Sequence, residues 1–177
     1  IEAELAARAV VDYFWLNNNW NKVLLTSNEF QNNPKLKDTK LRDYLKQRIR
    51  YADFKSGTES VAALEKLGEF ESAAQEQIKL YKKYPSEQDA DRLWLSAIVN
   101  YNKAKNFSTA AKMGEGFEKS VPNSKYKPIV ILETAKAHEG DKKYALAAAT
   151  YQRFATLYPN DVKTNETVFF AAQNYRM

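Results

Sequence analysis

Phe70, Phe107 and Tyr144 stand 37 residues apart, and each opens a segment whose residues come in the same order. Ala73, Ala110 and Ala147 come next, then Ala74, Ala111 and Ala148, then Leu80, Phe117 and Phe154. Tyr84, Val121 and Tyr158, each with a proline directly after it, close the three segments. A period of this size marks a stack of similar units, none of which buries its apolar face until it packs on its neighbour. The apolar residues inside each segment recur at helical spacing, so each unit reads as a hairpin of helices. Chains built this way present long surfaces and work by binding.

The remaining sequence suits that reading. Of 177 residues 44% are apolar and 13% aromatic, while glycine and proline number only five each, which favours long helices over a turn-rich β fold. The prolines at 34, 85, 122, 128 and 159 all lie between helical patterns. No stretch approaches about 18 uninterrupted apolar residues, so no membrane-spanning segment is expected. The chain opens Ile-Glu-Ala-Glu without a charged and apolar leader and stops within a periodic pattern, so it reads as a mature product or a piece of a longer protein. Cysteine is absent, which excludes disulfides, thiolate metal sites and cysteine nucleophiles in this segment. A net charge of +5 is mild for a dedicated nucleic-acid binder but compatible with acidic partners.

Taken in order, Leu5, Ala9, Tyr13 and their neighbours give a first helix over 2–16. Asn17-Asn18-Asn19 breaks it, and a second helix runs from Trp20 to the Asn32-Asn33-Pro34 stop. Trp20 and Val23 match the places of Phe70 and Ala73, so residues 1–34 read as a degenerate hairpin. Residues 35–57 read as an irregular basic helix or join, with Ser56-Gly57 as the place of an interruption or bend. From 58 to 177 the 37-residue period predicts regular hairpins, with Asp89, Ser108 and Asn160 or Asp161 at helix starts. The fold class is therefore all-α, a solenoid of antiparallel hairpins with nine or ten helices.

Phe107-x-x-Ala110-Ala111, Phe117 and Pro122, and Tyr144-x-x-Ala147, Tyr151, Phe154 and Pro159, resemble the second helix of a tetratricopeptide repeat. Ala135 and Ala172 match the small residue of the first helix, and Tyr101, His138 and Tyr175 its tyrosine. Ile98, Gln77 and Gly114 depart from the pattern, and the period exceeds the usual 34. Pro122-Asn-Ser-Lys-Tyr-Lys-Pro128 and Tyr158-Pro-Asn-Asp161 resemble the joins of Gram-negative envelope repeat proteins of the outer-membrane assembly and Tol-Pal coordinator type. The resemblance implies a right-handed superhelix and a periplasmic or outer-membrane-associated interaction scaffold, with a cytoplasmic location as the alternative. It also implies that the first helix of each hairpin lines a concave groove. That places Arg92, Leu95, Val99 and Asn102 there, then Leu132, Lys136 and Glu139, then Phe169, Gln173 and Arg176. Apolar anchors among basic and amide donors suit a peptide or partner subunit carrying acidic groups. The face bearing Val168, Phe169, Ala172 and Tyr175 is expected to stay open, with self-association through it.

No pattern for catalysis is present. Gly-x-Ser-x-Gly, phosphate-binding loops and His-Glu-x-x-His are all missing. His138 is the lone histidine, read as a packed, hydrogen-bonded residue, with pH sensing as the alternative. Neither metal nor organic cofactor is expected. Arg42, Lys46 and Arg50 recur every four residues opposite Leu41, Leu45 and Ile49, a basic stripe that reads as a solvated face. Its sharper reading is a docking stripe for a cytosolic or membrane-surface adaptor binding acidic partners; single-stranded nucleic acid is the least expected of these. A regulatory repeat region of a larger enzyme is a further alternative.

Overall fold

The computed structural model describes residues 2–87 and 89–177. Among them are nine α-helices and no strand: α1 (Glu2–Leu16), α2 (Trp20–Asn32), α3 (Thr39–Lys66), α4 (Phe70–Lys83), α5 (Ala90–Lys103), α6 (Phe107–Ser120), α7 (Lys127–Gly140), α8 (Tyr144–Leu157) and α9 (Thr164–Tyr175). The chain forms two compact units, divided between Ser60 and Val61 within α3. In the first unit Ala7 and Val11 of α1, Trp20 and Val23 of α2, and Leu41, Leu45 and Ala52 of α3 bury one another. Trp15, Trp20 and Tyr51 meet edge-on or tilted at centroid distances of 4.6 to 5.6 Å, within the favourable range for aromatic pairs.

In the second unit the period is visible in the backbone. α4, α6 and α8 begin at the three matched aromatics and are each 14 residues long. Their closing residues Tyr84, Val121 and Tyr158 share one conformation, with φ −131°, −131° and −129° and ψ 55°, 61° and 59°. These values lie outside the helical region, from which a succeeding proline keeps its predecessor because its ring would clash there. α5, α7 and α9 begin 37 residues apart, at Ala90, Lys127 and Thr164.

Each hairpin turns on one left-handed residue: Asn18, Gly68, Lys105 and Lys142, with φ of 52°, 77°, 59° and 57°. The next amide reaches back five residues, as in Asn106 N to Tyr101 O (2.9 Å) and Lys143 N to His138 O (2.8 Å). That bond satisfies a carbonyl the helix end would leave bare. The degenerate 1–34 hairpin uses the same turn, with Asn19 N donating to Phe14 O at 2.9 Å.

Packing runs through the hairpins in sequence: α4 on α5, α5 on α6, α6 on α7, α7 on α8 and α8 on α9, with α5 beside α7. Phe117 and Phe154, the large residues ten positions into α6 and α8, are fully buried. Burying a side chain of that size stabilises by about 1.5–3 kcal/mol. Gly114 and Tyr151 hold the same repeat position, and their neighbours compensate. A β-carbon on Gly114 would meet Thr134 Oγ1 at 1.9 Å, whereas Tyr151 shares its cluster with the smaller Ala171, which is Thr134's counterpart.

Two expectations change. α3 is unbroken from Thr39 to Lys66, so Ser56-Gly57 neither interrupts it nor ends it, and the expected interruption in residues 35–57 is absent. One glycine in a helix costs only about 1 kcal/mol, less than the packing on either side of it. Ser108 lies in the first turn of α6, which Asn106 caps by accepting from Thr109 N, but Asn160 and Asp161 fall short of α9, which starts at Thr164 after Lys163. No helix of the described residues is long and apolar enough to cross a membrane.

Candidate functional site

α5 carries Arg92, Leu95, Ser96, Val99 and Lys103 at helical spacing, so they share one face. Together with Tyr126 and Ile129 at the start of α7 and Glu65 near the end of α3, they line a groove of about 580 Å³. Its floor is apolar, from Leu95 and Val99 to Ile129, which is 42% exposed. Arg92 and Lys103 stand at its two ends, about 16 Å apart along the helix axis.

A buried amide cluster fixes the wall of this groove. Asn100 Nδ2 donates to Glu65 Oε1 (2.7 Å) and to Gln77 Oε1 (3.0 Å), and Gln77 Nε2 donates to the same Glu65 oxygen (3.3 Å). Asn100 and Gln77 are almost wholly buried. The three side chains thereby lock the end of α3, α4 and α5 in one register, since a buried amide without partners costs about 1–3 kcal/mol. At the far end Ser124 donates to Asp91, and Lys125 Nζ lies 2.6 Å from Asp89, holding the α6–α7 loop against the start of α5.

The ten residues expected in the groove fall into three groups. Arg92, Leu95 and Val99 line the groove just described. Phe169, Gln173 and Arg176 line a separate hollow of about 430 Å³ on α9 with Ala172 and Met177. The other four line neither. Asn102 Nδ2 donates to Glu133 O (3.0 Å) and Oε2 (3.1 Å), and Lys136 Nζ holds Glu133 Oε1 at 2.7 Å. Glu139 Oε2 accepts from Tyr151 OH at 3.1 Å, and Leu132 is buried among Ile131, Tyr151 and Phe154. Of the lining residues that the groove expectation omitted, Ser96 and Lys103 lie at i+4 and i+11 from Arg92 and were accessible from spacing. Glu65 and Ile129 come from other helices, so only the tertiary structure brings them in.

On α3 the stripe Arg42, Lys46 and Arg50 is exposed, with Leu41 and Leu45 fully buried behind it. Lys46 Nζ lies 3.8 Å from Asp43. Arg48 leaves the run of basic residues and turns inward: Nη2 donates to Asp12 Oδ1 at 3.0 Å and the guanidinium sits 3.8 Å over the Trp15 ring. Asp12 Oδ1 also accepts from Tyr44 OH at 2.5 Å.

His138 is packed as expected, but its Nδ1 is buried without a hydrogen-bond partner. Burial holds its pKa below the usual imidazole value, with Glu115 (3.9 Å from Nε2) pulling the other way. Among the described residues no group of three or more His, Asp or Glu side chains is placed to hold a metal ion. Against protein-family models, curated proteins and solved structures, the chain gives no match. The α5–α7 groove thus combines the apolar Leu95, Val99 and Ile129 with the cations Arg92 and Lys103 and the Glu65 carboxylate.

Proposed function

We propose that this chain is a non-catalytic protein-interaction scaffold of the tetratricopeptide type that holds a peptide or partner segment along α5 and α7. The observation that carries the reading is the groove itself, with Leu95, Val99 and Ile129 as floor and Arg92 and Lys103 at its ends. An extended or helical segment with apolar side chains toward the floor removes that floor from water, at about 25 cal/mol per Å² of apolar surface. Carboxylates on the segment meet the two cations, which act mostly through encounter rate and selectivity. The Glu65 carboxylate, held in place by Asn100 and Gln77, offers backbone amides of the ligand an acceptor without reorganisation. The joins at 122–128 and 158–161 support a setting in the periplasm or at the outer membrane of a Gram-negative envelope.

The test is capture from an envelope extract at low and high salt, comparing the native chain with Arg92→Glu/Lys103→Glu and with Ile129→Asp. All three sites are exposed or half-buried at the surface. A partner retained at both salts by the native chain and lost by both variants supports the groove. A second reading rests on the exposure of Arg42, Lys46 and Arg50 on one side of α3. In that case capture collapses at high salt, ignores the groove variants, and is abolished by reversing those three charges.

A further inference from the structure

The α5–α7 groove leaves two opposite charges without partners. Among the described residues no acid is ion-paired with Arg92 and no cation with Glu65. Asp89 feels the charge of Arg92, but it is held by Lys125 Nζ at 2.6 Å. Lys103, the other cation of the groove, has the Phe70 ring 5.2 Å beneath its Nζ. Glu65 is half-buried, and the two groups on its Oε1, Asn100 Nδ2 and Gln77 Nε2, are neutral amides. They supply hydrogen bonds and leave the charge uncompensated. A carboxylate shielded from water beside an apolar floor favours a cation, as Arg92 favours an acid. Glu65 meets α5 at Asn100, eight residues on from Arg92, so the two charges stand about 12 Å apart along that helix.

We propose that the groove takes an extended segment of another protein in which an acid and a base stand four residues apart, with a large apolar residue midway between them. This rests on the groove reading above and adds the base to it. In an extended chain four residues span about 13 Å, and the first, third and fifth side chains share one face. The acid then reaches Arg92, the middle residue covers Leu95 and Val99, and the base reaches Glu65. A helix needs about eight residues for the same distance, and a cylinder about 10 Å across and 12 Å long takes up on the order of 900 Å³, against about 580 Å³ in the hollow. The described residues hold the pattern only as Arg8–Val10–Asp12 within α1 and Glu115–Phe117–Lys119 within α6, so a second copy has no extended one to lend. Repeats added beyond α9 would stack on α9 and leave this groove open, since each helix packs on its neighbours in chain order.

The experiment is selection of random twelve-residue peptides displayed on phage against the native chain, Ile129→Asp, Arg92→Glu and Glu65→Gln, with circular dichroism to check each fold. Glu65→Gln keeps an oxygen for Asn100 and Gln77 and removes only the charge. Peptides taken by the native chain and refused by Ile129→Asp are expected to share an acid and a base four residues apart around a large apolar residue. Selection on Glu65→Gln loses the base, and selection on Arg92→Glu replaces the acid by a base. A synthetic peptide of the selected sequence should bind the native chain about tenfold more weakly when its base becomes Gln, and Glu65→Gln about equally in both forms. Groove-dependent peptides without the base, or with acid and base seven or eight residues apart as on a helix, overturn this inference and leave the groove reading standing. If no selected peptide depends on Ile129, both fail. A segment of the parent chain outside residues 1–177 that carries the pattern and displaces the synthetic peptide overturns the assignment to another protein.

Discussion

Arg153 of α8 grips Glu118 of α6 with both prongs of its guanidinium, Nη1 2.6 Å from Oε2 and Nη2 2.7 Å from Oε1, across 35 residues of sequence. Glu118's side chain is largely covered by this contact, and the hydrogen bonds to it raise the Arg153 pKa further. Two-pronged geometry is specific to arginine, because a lysine ammonium offers a single point charge. Arg153→Ala is expected to cost about 1–2 kcal/mol and Arg153→Lys to recover less than half of that. Urea unfolding reads both as shifts of the midpoint; equal stability of all three chains would make the pair ornamental.

The left-handed turn residues give the opposite sign. Lys105 and Lys142 adopt φ 59° and 57°, where a β-carbon crowds the next carbonyl, while Gly68 fills the same place at 77° without that cost. Replacing Lys105 or Lys142 by Gly is expected to stabilise by up to about 1 kcal/mol, reduced by the entropy glycine brings to the unfolded chain. Gly68→Ala is expected to destabilise by a similar amount, although no atom lies within 4 Å of the added carbon. Thermal melts of the three variants test the matched set, and a lowered Tm for both lysine variants would contradict it.

These turns also mark how far the sequence reached. The aromatic starts and proline stops located α4, α6 and α8 because each residue type has one local consequence, a half-buried ring or a predecessor kept out of the helical region. The hairpin turn was hidden, since Asn, Gly and two lysines share no chemistry and the position is defined by backbone alone. Gly114 looked like a departure from the repeat, yet Thr134 across the interface fills its space, a compensation only packing reveals. Half-legible too was the groove: helical spacing gathers Arg92, Leu95 and Val99, but Asn102 and Glu139 are turned aside by Glu133 and Tyr151, partners 31 and 12 residues away.

Asn100 is the point where the groove wall is most sensitive. Its Nδ2 hydrogens serve Glu65 and Gln77 at once, in a site with almost no solvent. Asn100→Ala leaves Gln77 Oε1 without its donor and Glu65 with Gln77 alone, and is expected to cost about 2 kcal/mol. Asn100→Asp keeps the shape but sets a second carboxylate against Glu65, and is expected to cost about 3 kcal/mol or more at neutral pH. Its folded-state pKa would be raised, so the deficit relative to the native chain shrinks as pH falls toward the ordinary aspartate value of about 4. Denaturant titrations of the two variants across that range separate them, because the alanine deficit should stay constant. A pH-independent deficit for Asn100→Asp would mean that the new carboxylate escapes to solvent.

His138 couples the same logic to neutral pH. Burial lowers its folded-state pKa below the value of about 6.5 it has when unfolded, so the unfolded chain binds the proton more readily. The neutral imidazole's stability is then present above about pH 6.5 and lost as pH falls from there to the depressed folded value, below which no further change comes from this group. Glu115 favours the charged ring and narrows that window; Lys143 disfavours it, and Asp141 acts with Glu115. His138→Tyr removes the titration while keeping an aromatic ring, since Tyr101 and Tyr175 occupy the equivalent places in the neighbouring hairpins. Measured unfolding free energies should slope downward below about pH 6.5 in the native chain and run flatter in the variant until the carboxylates begin to protonate. Parallel profiles for the two chains would show that the buried ring pairs its proton in the folded state and that its unpartnered Nδ1 has no energetic consequence.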